Sequence, residues 1–465
     1  MAQNHGIEQT KEDIRQNKKK KQAGAKQRLD LSALAISGNI VFSKTDIWAY
    51  YRIRNSVYDF LSHEEKYAYG KSVMTGFASL FMDRVEPLEC QIISTSIPVD
   101  VNLWEAQMHD ITEGWNRPAR FNDYVREQAY LLRQNEFKRQ VTYLGVHLGK
   151  RGAFEMSDLN IMEAGLAGAK TKIMDFLGSA LKTPGYEISQ EEEMDAMRTE
   201  QETGRVLERG ALQATKATTE ELLLLMKRQF WPAMPAPYLS IDPDNRVGSF
   251  DLSLELASAI RKRYRWLEIT QMYGSQEMTG YRAVLSVAKM PKTTAFPDAP
   301  PFLYIPSMMG HAFTTYSRFR LLPNKKMKRE LYKKQQEQKD QLQNMQQGGH
   351  QMNYETMEDV QEAEQLEYEL SQNTNPWVEG SYRIVVETPT EEQLKNYCSE
   401  LRQQYAAQDI VLTWSAGDQV DLFLEQMVGD RARIKSFDML SNLEMIGATG
   451  STIANDIGDP TWGDN

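Results

Sequence analysis

The sequence predicts an α+β protein of two or three mixed α/β units, with a charged helical hairpin protruding from them. Three observations carry this. Strand-length runs of alternating apolar residues are interleaved with amphipathic stretches of helical period over most of the chain. One block, residues 324–375, breaks that interleaving and separates into a basic arm and an acidic arm. The chain has 465 residues, 41% apolar and 25% charged, enough for two or three cores of ordinary composition.

Composition also excludes several classes. No apolar run approaches the ~20 residues that a membrane helix needs, and the longest, Leu222–Met226, ends in Lys227 and Arg228. The N-terminus lacks the apolar segment of a secretory signal. Two distant cysteines, Cys90 and Cys398, are too few for a disulfide scaffold or a cysteine-rich metal site. A net charge of −10 argues against coating nucleic acid wholesale, while leaving room for a local basic patch. The expected location is the cytoplasm, with peripheral contact at the inner face of the cell membrane.

Residues 1–29 are expected to be a disordered basic arm, because they carry almost nothing to bury. Eight Lys or Arg stand against Glu8, Glu12 and Asp13. Within the arm Lys18, Lys19, Lys20 and Lys21 are the candidate contact for an anionic surface, membrane or DNA; the alternative is a solvated tail. An N-terminal α+β domain is expected over 30–183. Runs at 39–43 and 47–53 read as a hairpin around Lys44-Thr45-Asp46. Ser62 and Glu65 form a capping box before a helix marked by Tyr69, Val73, Phe77, Leu80 and Phe81, stopped by Pro87. A strand at 89–97, a helix at 122–134 and a strand at 140–148 follow. Leu159, Met162, Leu166, Ala169, Ile173 and Leu177 mark another helix.

Residues 184–235 read as a helical linker: a charged helix at 191–213, then a short helix opened by the Thr218/Glu221 capping box and ended by Pro232. A β-rich unit is expected over 236–323, with strands at 266–273, 281–288, 302–305 and 314–321. In the block 324–375, Lys325–Met345 has seven basic and three acidic residues, whereas Met352–Gln372 has seven acidic and none basic. With Gln346-Gln347-Gly348-Gly349 as the turn, the two arms fold back as an antiparallel helical hairpin; the alternative is a disordered polar linker. Residues 376–435 read as a β-α-β unit completing the second domain. Its helix is opened by Thr390 and Gln393, and its strands form a parallel pair. Residues 436–465 read as a linker toward a motor domain absent from the chain.

No catalytic, cofactor or metal residue emerges from this pass. Gly70-Lys71-Ser72 imitates a phosphate-binding loop, but the glycine required five positions earlier is Glu65, and the tripeptide lies inside an amphipathic helix. Gly447-Ala448-Thr449-Gly450-Ser451-Thr452 has loop-like glycines without a lysine. His63-Glu64-Glu65 lacks the second histidine of a helical zinc pair. Cys90 and Cys398 lie in apolar patterns and read as core thiols.

Three segments taken in order carry a resemblance. They are Gly38–Arg54 (GNIVFSKTDIWAYYRIR) with the Tyr58-Asp59-Phe60-Leu61 and Glu64-Glu65-Lys66 that follow, Leu222–Leu239 (LLLLMKRQFWPAMPAPYL), and Ala416–Arg431 (AGDQVDLFLEQMVGDR). Together they resemble the N-terminal, non-motor region of the VirB/TraC-type ATPases of conjugative type IV secretion systems, over about residues 30–450. In that family an α+β region precedes a RecA-like motor with Walker A and Walker B motifs. Neither motif is present here, and Asn465 falls about where the motor is expected to begin, so ATP and Mg would belong to an absent motor domain. The resemblance therefore implies a fragment, a truncated product or half of a split ATPase, not an enzyme by itself. It also implies self-association and docking to other secretion-system subunits. The alternative is a non-catalytic structural adaptor that binds partners through the charged hairpin.

Overall fold

The strands expected at 39–53, 89–97, 140–148, 266–288 and 314–321 all enter one sheet. The computed structural model describes residues 31–54, 58–82, 84–98, 101–111, 120–134, 138–151, 188–234, 239, 246–256, 258–273, 275–291, 294, 296–309, 314–324, 327 and 375–453. Over these residues the fold is mixed α/β, built on a 14-stranded sheet whose paired strands are antiparallel. No helix among them is long and apolar enough to cross a membrane.

In chain order, β1 (Ala33–Ser37), β2 (Ile40–Ser43) and β3 (Asp46–Ile53) form a meander. Helix α1 (His63–Phe81) leads to β4 (Leu88–Pro98), and α2 (Val101–Ile111) with α3 (Phe121–Gln134) leads to β5 (Lys138–Lys150). Then come α4 (Gln190–Arg209), β6 (Thr215–Lys216) and α5 (Thr219–Gln229). β7 (Arg246–Val247) and α6 (Ser249–Glu255) close this half onto β1. The second half opens with another meander, β8 (Ala259–Lys262), β9 (Leu267–Tyr273) and β10 (Gln276–Lys289). It continues through α7 (Pro301–Met309), β11 (Thr314–Leu322), β12 (Trp377–Thr388), α8 (Glu391–Ala406), β13 (Val411–Thr413) and α9 (Gln419–Leu424). β14 (Met439–Ser441) and α10 (Glu444–Thr449) end the described chain.

The strand order β7-β1-β2-β3-β5-β4-β11-β12-β10-β9-β8 reads as one five-strand pattern written outward twice from the β4–β11 pair. Each half contains a split β-α-β-β-α-β unit, β3-α1-β4-β5-α4-β6 and β10-α7-β11-β12-α8-β13. β6 joins the edge of β3 beyond β2, at Tyr51 and Arg52, as β13 joins β10 beyond β9, at Ser286 to Lys289. The halves are thus topological copies, and they meet through equivalent strands. β4 and β11 pair from Leu88↔Leu321 to Ser94↔Thr315. Antiparallel pairing of equivalent strands is the arrangement that a two-fold axis generates in a symmetric dimer.

The pleat sorts side chains between the two faces. Cys90 and Ile92 with Phe319 and Leu321 point to the face covered by α1 and α4, and the same face of the second half carries α7 and α8. Ile93 and Tyr316 point to the opposite face, covered by α5, α6 and α9. The helix starts follow the sequence signals: Ser62 with Glu65 and Thr218 with Glu221 form complete capping boxes, and Thr390 caps α8 through the Gln393 N–H.

Several expectations change. Residues 302–305 are helical, in α7, because Pro301 is preorganised for the first helical position and Pro300 O accepts the Leu303 and Tyr304 N–H groups. β12 and β13 run in the same direction but are not neighbours, since β10 lies between them and pairs with both. Within 188–234, α4 and α5 contribute Ala196, Leu207, Leu222 and Met226 to the two cores, and β6 joins the sheet. Within 436–465, β14 pairs with β12 and α10 packs on α1. The basic arm with Lys18 to Lys21, the helix at 159–177, the arms of the charged hairpin apart from Met327, and residues 454–465 lie outside the described residues.

One side chain completes the sheet where strands run out. β9 pairs with β10 up to Arg282 and β13 begins at Ser286. Between them the fully buried Gln419 accepts the Val284 N–H at 2.8 Å and donates to Val284 O at 3.0 Å. Gln419→Met strands both groups in the core and should cost about 2–4 kcal/mol. Urea denaturation checks this, through a lower midpoint with an unchanged slope.

Candidate functional site

The most elaborate chemistry in the described chain lies on the seam between the halves, on the face of α5 and α9. There the β4–β11 register sets Gln91 opposite Arg318, both buried. The Tyr50 hydroxyl donates to the Gln91 side-chain oxygen, and Gln91 Nε2 donates to the Tyr316 hydroxyl at 3.3 Å. Tyr316 in turn donates to Glu425 O, the Gly429 N–H donates to the Tyr50 hydroxyl at 2.7 Å, and Ser43 donates to Gly429 O. Burial pushes the Tyr50 and Tyr316 hydroxyls up, which keeps them neutral donors.

Glu425, just after α9, clamps the following segment onto the sheet. One carboxylate oxygen accepts from Arg383 Nε at 3.2 Å, while the other accepts the N–H groups of Arg433 at 3.2 Å and Ile434 at 3.1 Å. This clamp holds residues 431–438 against a cleft of about 160 Å³ lined by Trp48, Glu89, Arg318, Arg431, Lys435 and Asp438. Arg318 lies over the Trp48 ring at 4.9 Å and donates from Nε to Glu89 at 2.7 Å. Burial works against its charge, but the Glu89 carboxylate beside it works for it, and its pKa stands above the ordinary value. Its Nη2 has no hydrogen-bond partner among the described residues. Burial raises Asp438 above the usual carboxylate range, with Arg383 partly opposing. Asp46, on another wall, is held below that range: burial opposes its ionisation, but the hydrogen bond from His147 at 3.0 Å and that from Thr45 prevail.

The walls of the cleft carry the cations Arg318, Arg320, Arg431 and Lys435 and the carboxyl groups of Asp46, Glu89, Glu379, Glu425 and Asp438. The two thiols lie in the cores, both pushed up by burial, Cys398 to about 12. Among the described residues no group of three or more His, Cys, Asp or Glu could hold a metal ion.

The two phosphate-loop imitations meet each other. Gly70-Lys71-Ser72 is mid-helix in α1, where Ser72 donates to Tyr69 O at 2.7 Å and Lys71 is exposed. A Cβ on Gly70 would stand 2.2 Å from the Phe296 ring, and one on Gly447 would stand 2.8 Å from Gly70 O. Gly450, at φ +76°, ends α10 in the left-handed conformation. These glycines let two helices and a ring approach closely. Lys18 to Lys21 lie outside the described residues. Arg318, Arg383 and Glu425 went unnoticed in the sequence, although Arg318 and Arg383 interrupt strands at inward-facing positions, the mark of a buried ion pair.

No family model matches the chain, and no curated protein matches it.

Two expectations follow from the packing and the charges. Gly70→Ala should destabilise the fold by ~1–3 kcal/mol through overpacking, whereas Lys71→Ala should stay within ~0.5 kcal/mol; thermal unfolding of both variants checks this. Because the Asp438 pKa is raised on folding, the folded chain holds its proton to higher pH than the unfolded chain. Stability therefore falls as pH rises through and above the ordinary carboxylate range. Asp438→Asn should unfold at a higher temperature than the parent at about pH 7, and the difference should vanish toward about pH 3.

Proposed function

We propose that this chain is the assembly and docking region of a cytoplasmic ATPase that energises conjugative transfer of DNA or protein through a type IV secretion system. In this reading it holds no nucleotide site of its own, and a separate motor supplies ATP and Mg chemistry. One observation carries it. The three segments that bear the resemblance are far apart in sequence, yet all three supply the core on one face of the sheet: Val41, Trp48 and Tyr50; Leu222, Met226, Phe230 and Trp231; Val420, Phe423, Met427 and Val428. Phe230 meets Phe423 edge-on at 5.1 Å, and Gln229 Nε2 donates to Gln426 O at 2.9 Å. The likeness therefore resides in residues that fix one half against the other, as suits a region whose task is shape and assembly.

The charged block 324–375 is the protruding hairpin in this proposal, and it carries the docking surface. The first half supports that assignment, because its corresponding connection, β4 to β5, carries the paired helices α2 and α3, with His109 and Phe121 edge-on at 6.0 Å. The basic arm adds contact with the inner face of the membrane or with DNA.

Replacing residues 325–372 with a short Gly-Ser linker should leave the unfolding temperature unchanged and weaken association with a P-loop motor subunit encoded beside this chain, measured by size-exclusion chromatography. The chain alone should not hydrolyse ATP. Unfolding of the linker variant would make the block part of a core. Full association by that variant would make it a spacer. A chain that binds no motor subunit at all would be an adaptor unrelated to secretion.

A further inference from the structure

The last hairpin of the sheet bears a run of basic and aromatic residues, Arg261-Lys262-Arg263-Tyr264-Arg265-Trp266, in which Trp266 packs against the core of the second half and the five before it are exposed. β8 and β9 pair as far as Lys262↔Leu267, and the Arg263 N–H donates to Trp266 O at 2.9 Å, leaving Tyr264 and Arg265 as the apex. Residues 261–265 are all exposed, and Tyr264 is 72% accessible. The alternation of the strands sets Lys262 on one face, with the buried Leu267, and Arg261 on the other, with Glu268. Positive charge therefore surrounds the apex. Arg261 at 2.9 Å and Arg263 at 2.6 Å pair with Glu268.

The tip is braced. The Gly417 N–H donates to Tyr264 O at 3.0 Å and Trp414 Nε1 donates to Arg265 O at 2.5 Å. The Arg265 guanidinium lies 5.7 Å from the Trp414 ring and 5.8 Å from the Tyr264 ring, and Lys395 lies 5.0 Å from the Trp266 ring. Brackets of this kind hold exposed cations and an aromatic ring in a fixed array without burying them.

From this array we infer that the β8–β9 tip is a contact for the surface of an anionic phospholipid bilayer. The cations reach headgroup phosphates while Tyr264 enters the interfacial layer, where its ring is apolar and its hydroxyl wet. Single-stranded nucleic acid fits less well. It favours a groove with open stacking faces, whereas the two tryptophan rings here already carry Arg265 and Lys395 and the cations encircle a point. This contact is independent of the secretion reading.

The test is flotation of the full chain with vesicles of phosphatidylcholine plus phosphatidylglycerol, against phosphatidylcholine alone. The parent should float with the anionic vesicles only. Lys262→Glu should lower the partition coefficient about tenfold or more and Tyr264→Ser several-fold, with unfolding temperatures unchanged. A variant with Lys18 to Lys21 changed to Gln should keep the dependence on Lys262. Equal flotation of Lys262→Glu and the parent overturns the proposal. So does an oligonucleotide titration in which these tip variants lose affinity while their flotation is unaltered.

Discussion

The pairing of β4 with β11 is the constraint on which the rest of the molecule depends. Each is the inner edge of its own half, and an unpaired edge of apolar alternation would be an open template for association. Pairing them removes both edges and merges two small sheets into one. It also sets Gln91 against Arg318. A slip of one strand by one residue would turn Gln91 or Arg318 toward the apolar core beneath α1 and α4. The polar seam therefore opposes any other register, at the cost of burying charge.

That cost shapes the opposite layer. Arg383 is fully buried and Arg318 nearly so, and each has a carboxylate, Glu425 or Glu89. A buried ion pair adds little net stability over apolar packing, but losing one partner is severe. The turn after α9 is therefore bound to the sheet by charge as well as by Met427 and Val428. The cleft arises because this turn is clamped at Glu425 and bridges the pleated surface without filling it.

Much of the local structure was legible in the sequence because it is fixed by contacts close in sequence. The capping boxes at Ser62 and Thr218, the hairpin around Lys44 and the apolar face of α8 needed only residues a few positions apart. The mid-helix position of Gly70-Lys71-Ser72 was readable for the same reason. The duplication was not, because the halves share strand order rather than residues: where the short last strand joins, β3 carries Tyr51 and Arg52 and β10 carries Ser286 and Val287. Phe302 to Ile305 has the composition of a strand, and only the two prolines before it bring it into a helix. The seam was hidden because the contacts joining Tyr50, Gln91, Tyr316 and Glu425 span 41 to 225 residues of chain and arise only through sheet order.

Antiparallel joining of equivalent strands also fixes where the two inserted segments leave the sheet. One departs after Pro98 and the other after Leu322, at opposite ends of the β4–β11 ladder. With ~3.3 Å per strand residue these exits stand roughly 35 Å apart. Tension applied at the two exits would draw β4 and β11 past each other along their length. The ladder would then be loaded in shear, its hydrogen bonds sharing the force in parallel instead of unzipping in turn, so the joint between the halves is mechanically strong along the line through its two exits.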